Sequence, residues 1–329
     1  MGSDVQTERS VQDQTGLWDR ATDWLLLDGD RRLVAAGITG AFVGAFVVLH
    51  TVGLVAVGVD SSVAQVFGSG LTAGMVTLVT IALSINQLIL SRVFGSPNQL
   101  ADRLQGARKL RGTLEEIAGE PSSPNDPAAF LSMLAKTLSE RATLARSMVQ
   151  RDDANPPAAV TDSLADISEY GQSIEAHVEA ETPVTDVLNV IIGPEYAMNM
   201  TAVRHLQNAY GESLPADAME ELRSLDELLE SIAIVRQFFK TIALQQDFAV
   251  LSRLLVYSGL LALLASIALT LVYRTDSVTV DPAMLSVLVP LALGVTVVPL
   301  AIFSAYVLRA ATVAYRTVSV GPFVPPGER

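Results

Sequence analysis

Four long stretches of this chain carry no charged side chain, and they constrain its fold more than any other feature. They run from Leu33 to Val59, from Val63 to Ser91, from Leu254 to Tyr273, and from about Pro282 to Leu308. A helix rising 1.5 Å per residue needs about 20 such residues to cross ~30 Å of hydrocarbon, and each stretch supplies them. Backbone amides in hydrocarbon must bond within their own segment, so each stretch is expected to be a helix. They pair into two hairpins, one closed around Gly58 to Ser62 and the other between Arg274 and Asp281. The expected fold class is all-α: four transmembrane helices in two hairpins, with a large cytoplasmic helical insert between spans two and three.

Composition supports this. Half of the 329 residues are hydrophobic, 17% are charged and the mean hydropathy is +0.39, whereas soluble domains carry about 25% charged residues. The chain has no cysteine, which excludes disulfide frameworks, thiolate metal sites, iron–sulfur clusters and cysteine nucleophiles. Its formal charge is −13, with lysine only at Lys109, Lys136 and Lys240 and arginine nineteen times. Such acidity suits a high-salt cytoplasm, where excess carboxylates keep a surface hydrated; an ordinary acidic surface is the plainer alternative. No basic stripe is present to displace counterions, so nucleic acid is not expected as a partner.

Arginine and lysine flank the spans unevenly. Arg31 and Arg32 precede the first span, Arg92, Arg103, Arg108, Lys109 and Arg111 follow the second, Arg236, Lys240 and Arg253 precede the third, and Arg309 and Arg316 follow the fourth. The hairpin loops hold only Arg274, against Asp60, Asp276 and Asp281. The positive-inside rule then puts both termini and the middle segment in the cytoplasm, in a cell (plasma) membrane. The acidic N-terminus lacks the basic start of a cleavable signal, so the first span is expected to act as an uncleaved one. The expected organisation is a cytoplasmic tail with an interfacial helix over 1–32, a transmembrane hairpin over 33–94, an acidic cytoplasmic helical domain over 95–247, a second hairpin over 248–310 and a tail over 311–329.

Within the tail, Leu17, Trp18, Ala21, Trp24 and Leu25 share one helical face opposite Asp19, Arg20 and Asp23, the pattern of a helix lying in the membrane interface. The insert reads as helix throughout. Leu100, Leu104, Ala107, Leu114 and Ile117 mark its first amphipathic segment. Asp126-Pro127 caps the next, with Leu131, Leu134, Leu138, Ala142, Ala145 and Val149 inward. Val160, Leu164, Ile167, Ile174 and Val178 form a further stripe, and Thr182-Pro183 opens a helix interrupted at Gly193-Pro194. From Pro215 to Tyr273 the only glycine is Gly259, so one helix of ~85 Å is expected to run into the third span. Its coiled-coil or bundle seam is Leu225, Leu228, Ile232, Val235, Phe239 and Ile242.

Chemistry is sparse. Phosphate-binding, dinucleotide-binding, nucleophile-elbow and zinc-protease motifs are absent. His50, His177 and His205 are dispersed, so no metal or other cofactor is expected, and the chain is read as a non-enzyme with no catalytic residue. Glu115-Glu116 and Glu220-Glu221 read as solvated faces. His50 and the cluster Ser84, Asn86, Gln87 are the candidate intramembrane polar or pore-facing residues, and at least one of Asn86 and Gln87 is expected to meet a neighbouring helix. Gly40-x-x-x-Gly44 and Gly70-x-x-x-Gly74 offer close helix packing. Pro290 and Pro299, with Gly294 between them, predict a kinked or locally broken fourth helix, either a packing feature or a carbonyl-lined path.

Two functions follow. One is a membrane scaffold or sensor and signalling adaptor, whose acidic helical domain docks a soluble cytoplasmic protein. The other is a homo-oligomeric ion channel or pore with a cytoplasmic regulatory domain. In architecture alone, the layout resembles four-span large-pore channels with cytoplasmic termini and a long cytoplasmic loop. The partners expected are the lipid bilayer and further copies of the chain.

Overall fold

The computed structural model describes residues 7, 18, 21–22, 24–93, 97–152, 157–179, 182–274 and 277–316. Four residues of the predicted interfacial helix, Leu17, Asp19, Arg20 and Asp23, lie outside the described residues. Of the part that is described, Trp18 and Trp24 are exposed, Trp24–Asp28 forms a π-helical turn, and Leu27 is buried.

The elements are α1 (Arg31–Thr51), α2 (Val63–Gln65), a π-helical turn (Val66–Leu71), α3 (Thr72–Val93), α4 (Pro97–Ala118), α5 (Pro127–Asp152), α6 (Ala158–His177), α7 (Val184–Val190), α8 (Glu195–Tyr210), α9 (Ala216–Val272), β1 (Tyr273–Arg274), β2 (Ser277–Val278) and α10 (Pro282–Arg316). The fold is all-α, apart from a two-residue antiparallel ribbon pairing Tyr273 with Val278 in the second hairpin loop. Among the described residues, four helical segments are long and apolar enough to cross a membrane. Two units divide the chain, one of Arg20–Gly95 with Leu244–Thr312 and the other of Ser96–Ala243 with Met1–Asp19 and Val313–Arg329.

Among the described residues, the unit holding the spans packs around three apolar clusters. Val34, Ala82, Leu251, Leu255, Ala301 and Ala305 bring α1, α3, α9 and α10 together at one end. Val57, Val63, Phe67, Leu269, Leu285 and Val289 close the other end, and Met75, Leu78 and Ala262 join α3 to α9 between them. The first helix stops earlier than its apolar run. Gly53 takes φ +81, and the amides of Gly53 and Leu54 donate back to the carbonyls of His50 and Leu49. This double closure is the Schellman motif, and the left-handed residue it requires is most cheaply glycine. Residues 52–59 are therefore outside the helix.

The second span opens with a π-helical turn rather than regular α-helix. Its wider register changes the pairing around the Phe67 carbonyl, which accepts the hydroxyls of Thr72 at 2.8 Å and Ser266 at 2.7 Å. Ser266 is fully buried, and in hydrocarbon a carbonyl has no water to fall back on. At the same turn a Cβ on Gly68 would lie 3.1 Å from Thr270 Cγ2. The fourth span is not broken: α10 runs unbroken through Pro290 and Pro299. Buried Val289, Leu293, Val297 and Ala301 pack it on both sides of each proline, and this packing offsets the lost helical hydrogen bond.

The other unit is a set of packed helices. The stripe Leu131, Leu134, Leu138, Ala142, Ala145 and Val149 is buried on α5, and Val160, Leu164, Ile167 and Ile174 are buried on α6. Asp126 Oδ1 accepts the amide of Ala129 at 2.8 Å, capping α5 with Pro127 as its first residue. Gly119, at φ +72, ends α4 by the same double closure that Gly53 makes, with its own amide and that of Glu120 donating to the Glu116 and Glu115 carbonyls. The stripe expected on α4 holds only in part. Leu114 and Ile117 are buried, but Leu100 and Leu104 are exposed, because no described element of this unit covers the first half of that helix.

Candidate functional site

Helix α9 is continuous from Ala216 to Val272. Five of its six seam residues, Leu225, Leu228, Ile232, Val235 and Phe239, are buried, while Ile242 is half-buried. Polar contacts from α9 to its neighbours flank the seam. Asp226 accepts Arg204 Nε from α8 at 3.2 Å, Glu221 accepts Arg141 of α5 at 3.2 Å, and the Leu222 carbonyl accepts Gln207 Nε2 at 2.9 Å.

One turn from Ile232, α9 puts Arg236 into the interior, 4% exposed. Its guanidinium lies over the Tyr196 ring at 5.1 Å, donates to the Tyr196 hydroxyl at 3.3 Å, and donates to the Ile192 carbonyl. Glu195 is 3% exposed and Asn199 fully buried beside it on α8. A Cβ on Gly193 would overlap the Glu195 carboxylate, so the glycine makes room for it. Tyr170 of α6 completes the group. Burial pushes its phenol well above the usual range, the Glu195 carboxylate adds to that, and Arg236 opposes it. A cation and an anion thus share one buried polar centre at the junction of three helices. Charges are kept inside a protein only when they are paired and hydrogen-bonded. The sequence reading used Arg236 only as a topogenic charge. The signal it passed over was the position of Arg236 one residue after Val235, between seam residues.

Both carboxylate pairs depart from the solvated faces expected of them. Glu116 and Glu220 are exposed, but Glu221 is buried against Arg141, and Glu115 accepts the amide and the hydroxyl of Ser123, both at 2.7 Å. Those bonds hold the Glu115 carboxyl below its usual range. Neighbouring residues on a helix point about 100° apart, so when one faces solvent the other can reach the packed side.

In the span unit, polar and charged groups collect at one end. Arg31, 3% exposed, donates to the carbonyls of Gly29, Leu25 and Trp24 at 2.8, 2.9 and 3.2 Å. It thereby holds the end of the π-helical turn, the helix end that favours a cation. Gly29 is needed there, since a Cβ would lie 2.5 Å from the Trp24 carbonyl oxygen. Asp247 and Arg309 pair at 3.5 Å, each side chain 12% exposed. Asp30, Arg32, Asp247 and Arg309 all lie near enough to Tyr306 for their fields to act on its hydroxyl.

The polar residues singled out along the spans are dispersed. His50 Nδ1 sits 2.9 Å from the Val55 carbonyl, just past the end of α1. Ser84 donates to the Thr80 carbonyl of its own helix at 3.1 Å. Asn86 and Gln87 are both exposed, against the expectation that one would meet a neighbouring helix. The packed face of α3 runs through Met75, Leu78, Ala82 and Ile85, and Gln87, at about +200° from Ile85, falls on its open side. The four packing glycines behave alike: a Cβ on Gly40, Gly44, Gly70 or Gly74 would meet nothing within 4 Å. Close approaches within the unit come instead at Gly68, at Gly259, 2.9 Å from Val79 Cγ2, and at Gly294, 3.3 Å from Val43 Cγ2. Spacing finds pairs of glycines, but which helix face is covered depends on the packing.

Among the described residues, no group of three His, Asp or Glu side chains is placed to hold a metal ion. The fold defines a class, an all-α protein with, among the described residues, four helices long and apolar enough to cross a membrane. The chain belongs to the family of unknown function DUF7972, whose model matches residues 2–329. No curated protein and no solved structure matches it.

Proposed function

We propose that the protein is a non-enzymatic scaffold or sensor and signalling adaptor of the plasma membrane. Both termini and the helical domain face the cytoplasm, and the acidic surface of that domain docks a soluble protein. The surface also suits a high-salt cytoplasm. The observation that carries this reading is where the polar chemistry of the span unit lies. Its charged groups Arg31, Asp247 and Arg309 collect at one end, and farther along the spans the hydroxyls of Thr77, Thr80 and Ser84 bond back to their own helix. A pump or coupled carrier normally needs ionisable groups at mid-membrane.

A homo-oligomeric channel is the second reading, favoured by one observation. Asn86 and Gln87 are polar and exposed on a membrane helix, a costly arrangement unless another chain or a water-filled path receives them. Reconstitution into liposomes separates the two readings. The scaffold reading expects ion flux no greater than in protein-free liposomes, and Asn86→Leu to leave it there. Flux above that background that changes with Asn86→Leu or Gln87→Leu, at unchanged oligomeric state, would replace it with the channel.

A further inference from the structure

Between α1 and α10 lies an open groove of about 790 Å³. Ala36, Gly40 and Val43 form one wall and Gly294 and Val298 the other, and Arg32 stands at one end. The walls are almost wholly apolar, and small residues make the space. Gly40 in particular has nothing within 4 Å of where a Cβ would be. The helices cross closely at Val43 and Gly294, near the end of the groove opposite Arg32. Both walls belong to spans, so acyl chains are the surrounding medium.

At the arginine end, among the described side chains, Arg31 and Arg309 lie near Asp247, and Asp30, Arg32, Asp247 and Arg309 lie around Tyr306. Arg31 is committed to three backbone carbonyls and Arg309 to Asp247. Asp30 uses Oδ1 to accept the Arg32 amide at 2.7 Å, capping α1. Arg32 is exposed, and its guanidinium has no hydrogen-bond or ion-pair partner among the described residues. An apolar slot ending at an exposed guanidinium is complementary to a molecule with an acyl chain and an anionic head.

We propose that this groove is a binding site for one anionic glycerophospholipid, with an acyl chain between α1 and α10 and its phosphate on Arg32. Guanidinium is the side chain best matched to phosphate oxygens, and basic pockets between membrane helices recognise anionic head groups. A second copy of the chain is the competing occupant, and the test separates the two.

The test uses the full chain, purified in mild detergent and titrated with phosphatidylglycerol or phosphatidylcholine of the same acyl chains, with retained lipid read by native mass spectrometry. One phosphatidylglycerol is expected to stay bound, with phosphatidylcholine weaker. Arg32→Gln should weaken phosphatidylglycerol by about tenfold, the scale of one charge-assisted hydrogen bond, and Arg32→Lys should restore part of it. Gly40→Leu puts a side chain into the slot from a position where a Cβ meets nothing within 4 Å, and it should reduce both lipids. Unchanged circular dichroism and thermal midpoints confirm that each variant is folded. Equal retention of the two lipids, or no effect of Arg32→Gln in a folded variant, overturns the proposal. So does a two-chain mass that survives without lipid and is split by Gly40→Leu.

Discussion

Replacing Arg236 by methionine is expected to destabilise the helical domain by about 3–5 kcal/mol, the usual cost of removing one of two opposite charges from a shared buried centre. The volume change is small; the loss is electrostatic. Glu195 stays 3% exposed, and the cation that shares its pocket and donates to Tyr196 and the Ile192 carbonyl is gone. In thermal unfolding followed by circular dichroism, this corresponds to a fall of the order of 10 °C in the midpoint. The double replacement Arg236→Met with Glu195→Met should recover much of the loss, because no uncompensated charge is then left inside. A single variant as stable as the parent would mean that the centre is open to water, and would remove the basis for treating it as a buried charged centre.

Gly171→Ala is the second large effect. A Cβ there would lie 2.6 Å from the Ala135 carbonyl oxygen and 3.0 Å from the Ser139 amide nitrogen, both backbone atoms of α5. At this contact the Ser139 and Ser168 hydroxyls also meet, at 3.0 Å inside the pair. No side chain can swing away to make room, so α5 and α6 must separate, and the overpacking should cost about 1–3 kcal/mol. Gly106→Ala on α4 is the matched control. A Cβ there meets nothing, so the change should stabilise by about 0.5–1 kcal/mol through helix propensity. Urea midpoints of the two variants moving in opposite directions is the expected result. A neutral Gly171→Ala would show that α5 and α6 are not in contact at this point.

Periodicity made the helices legible. The span residues, the apolar stripes of α5 and α6, the Asp126-Pro127 start and the length of α9 were all readable because the spacing of apolar residues and helix-end chemistry are local properties. What was not legible depends on which face of a helix meets which neighbour. Gly40, Gly44, Gly70 and Gly74 had the right spacing but look into open space, while Gly68, Gly259 and Gly171, unremarkable in sequence, sit at the tight contacts. The early end of α1 at Thr51 was concealed because residues 52–59 are as apolar as the helix before them; only the left-handed Gly53 marks the stop. Arg236 was counted with the charges that orient the spans, because nothing local distinguishes an arginine beside a seam from one on a surface.

The measurement that bears most directly on the account is the sidedness of the second hairpin loop relative to the helical domain. The chain has no native cysteine, so single cysteines report cleanly, and Ser277 and Ser122 are both exposed. With a membrane-impermeant thiol reagent on intact cells, Ser277→Cys should label, and Ser122→Cys should label only after lysis. Labelling of Ser122→Cys before lysis, or protection of Ser277→Cys until lysis, would contradict a four-span protein whose helical domain faces the cytoplasm.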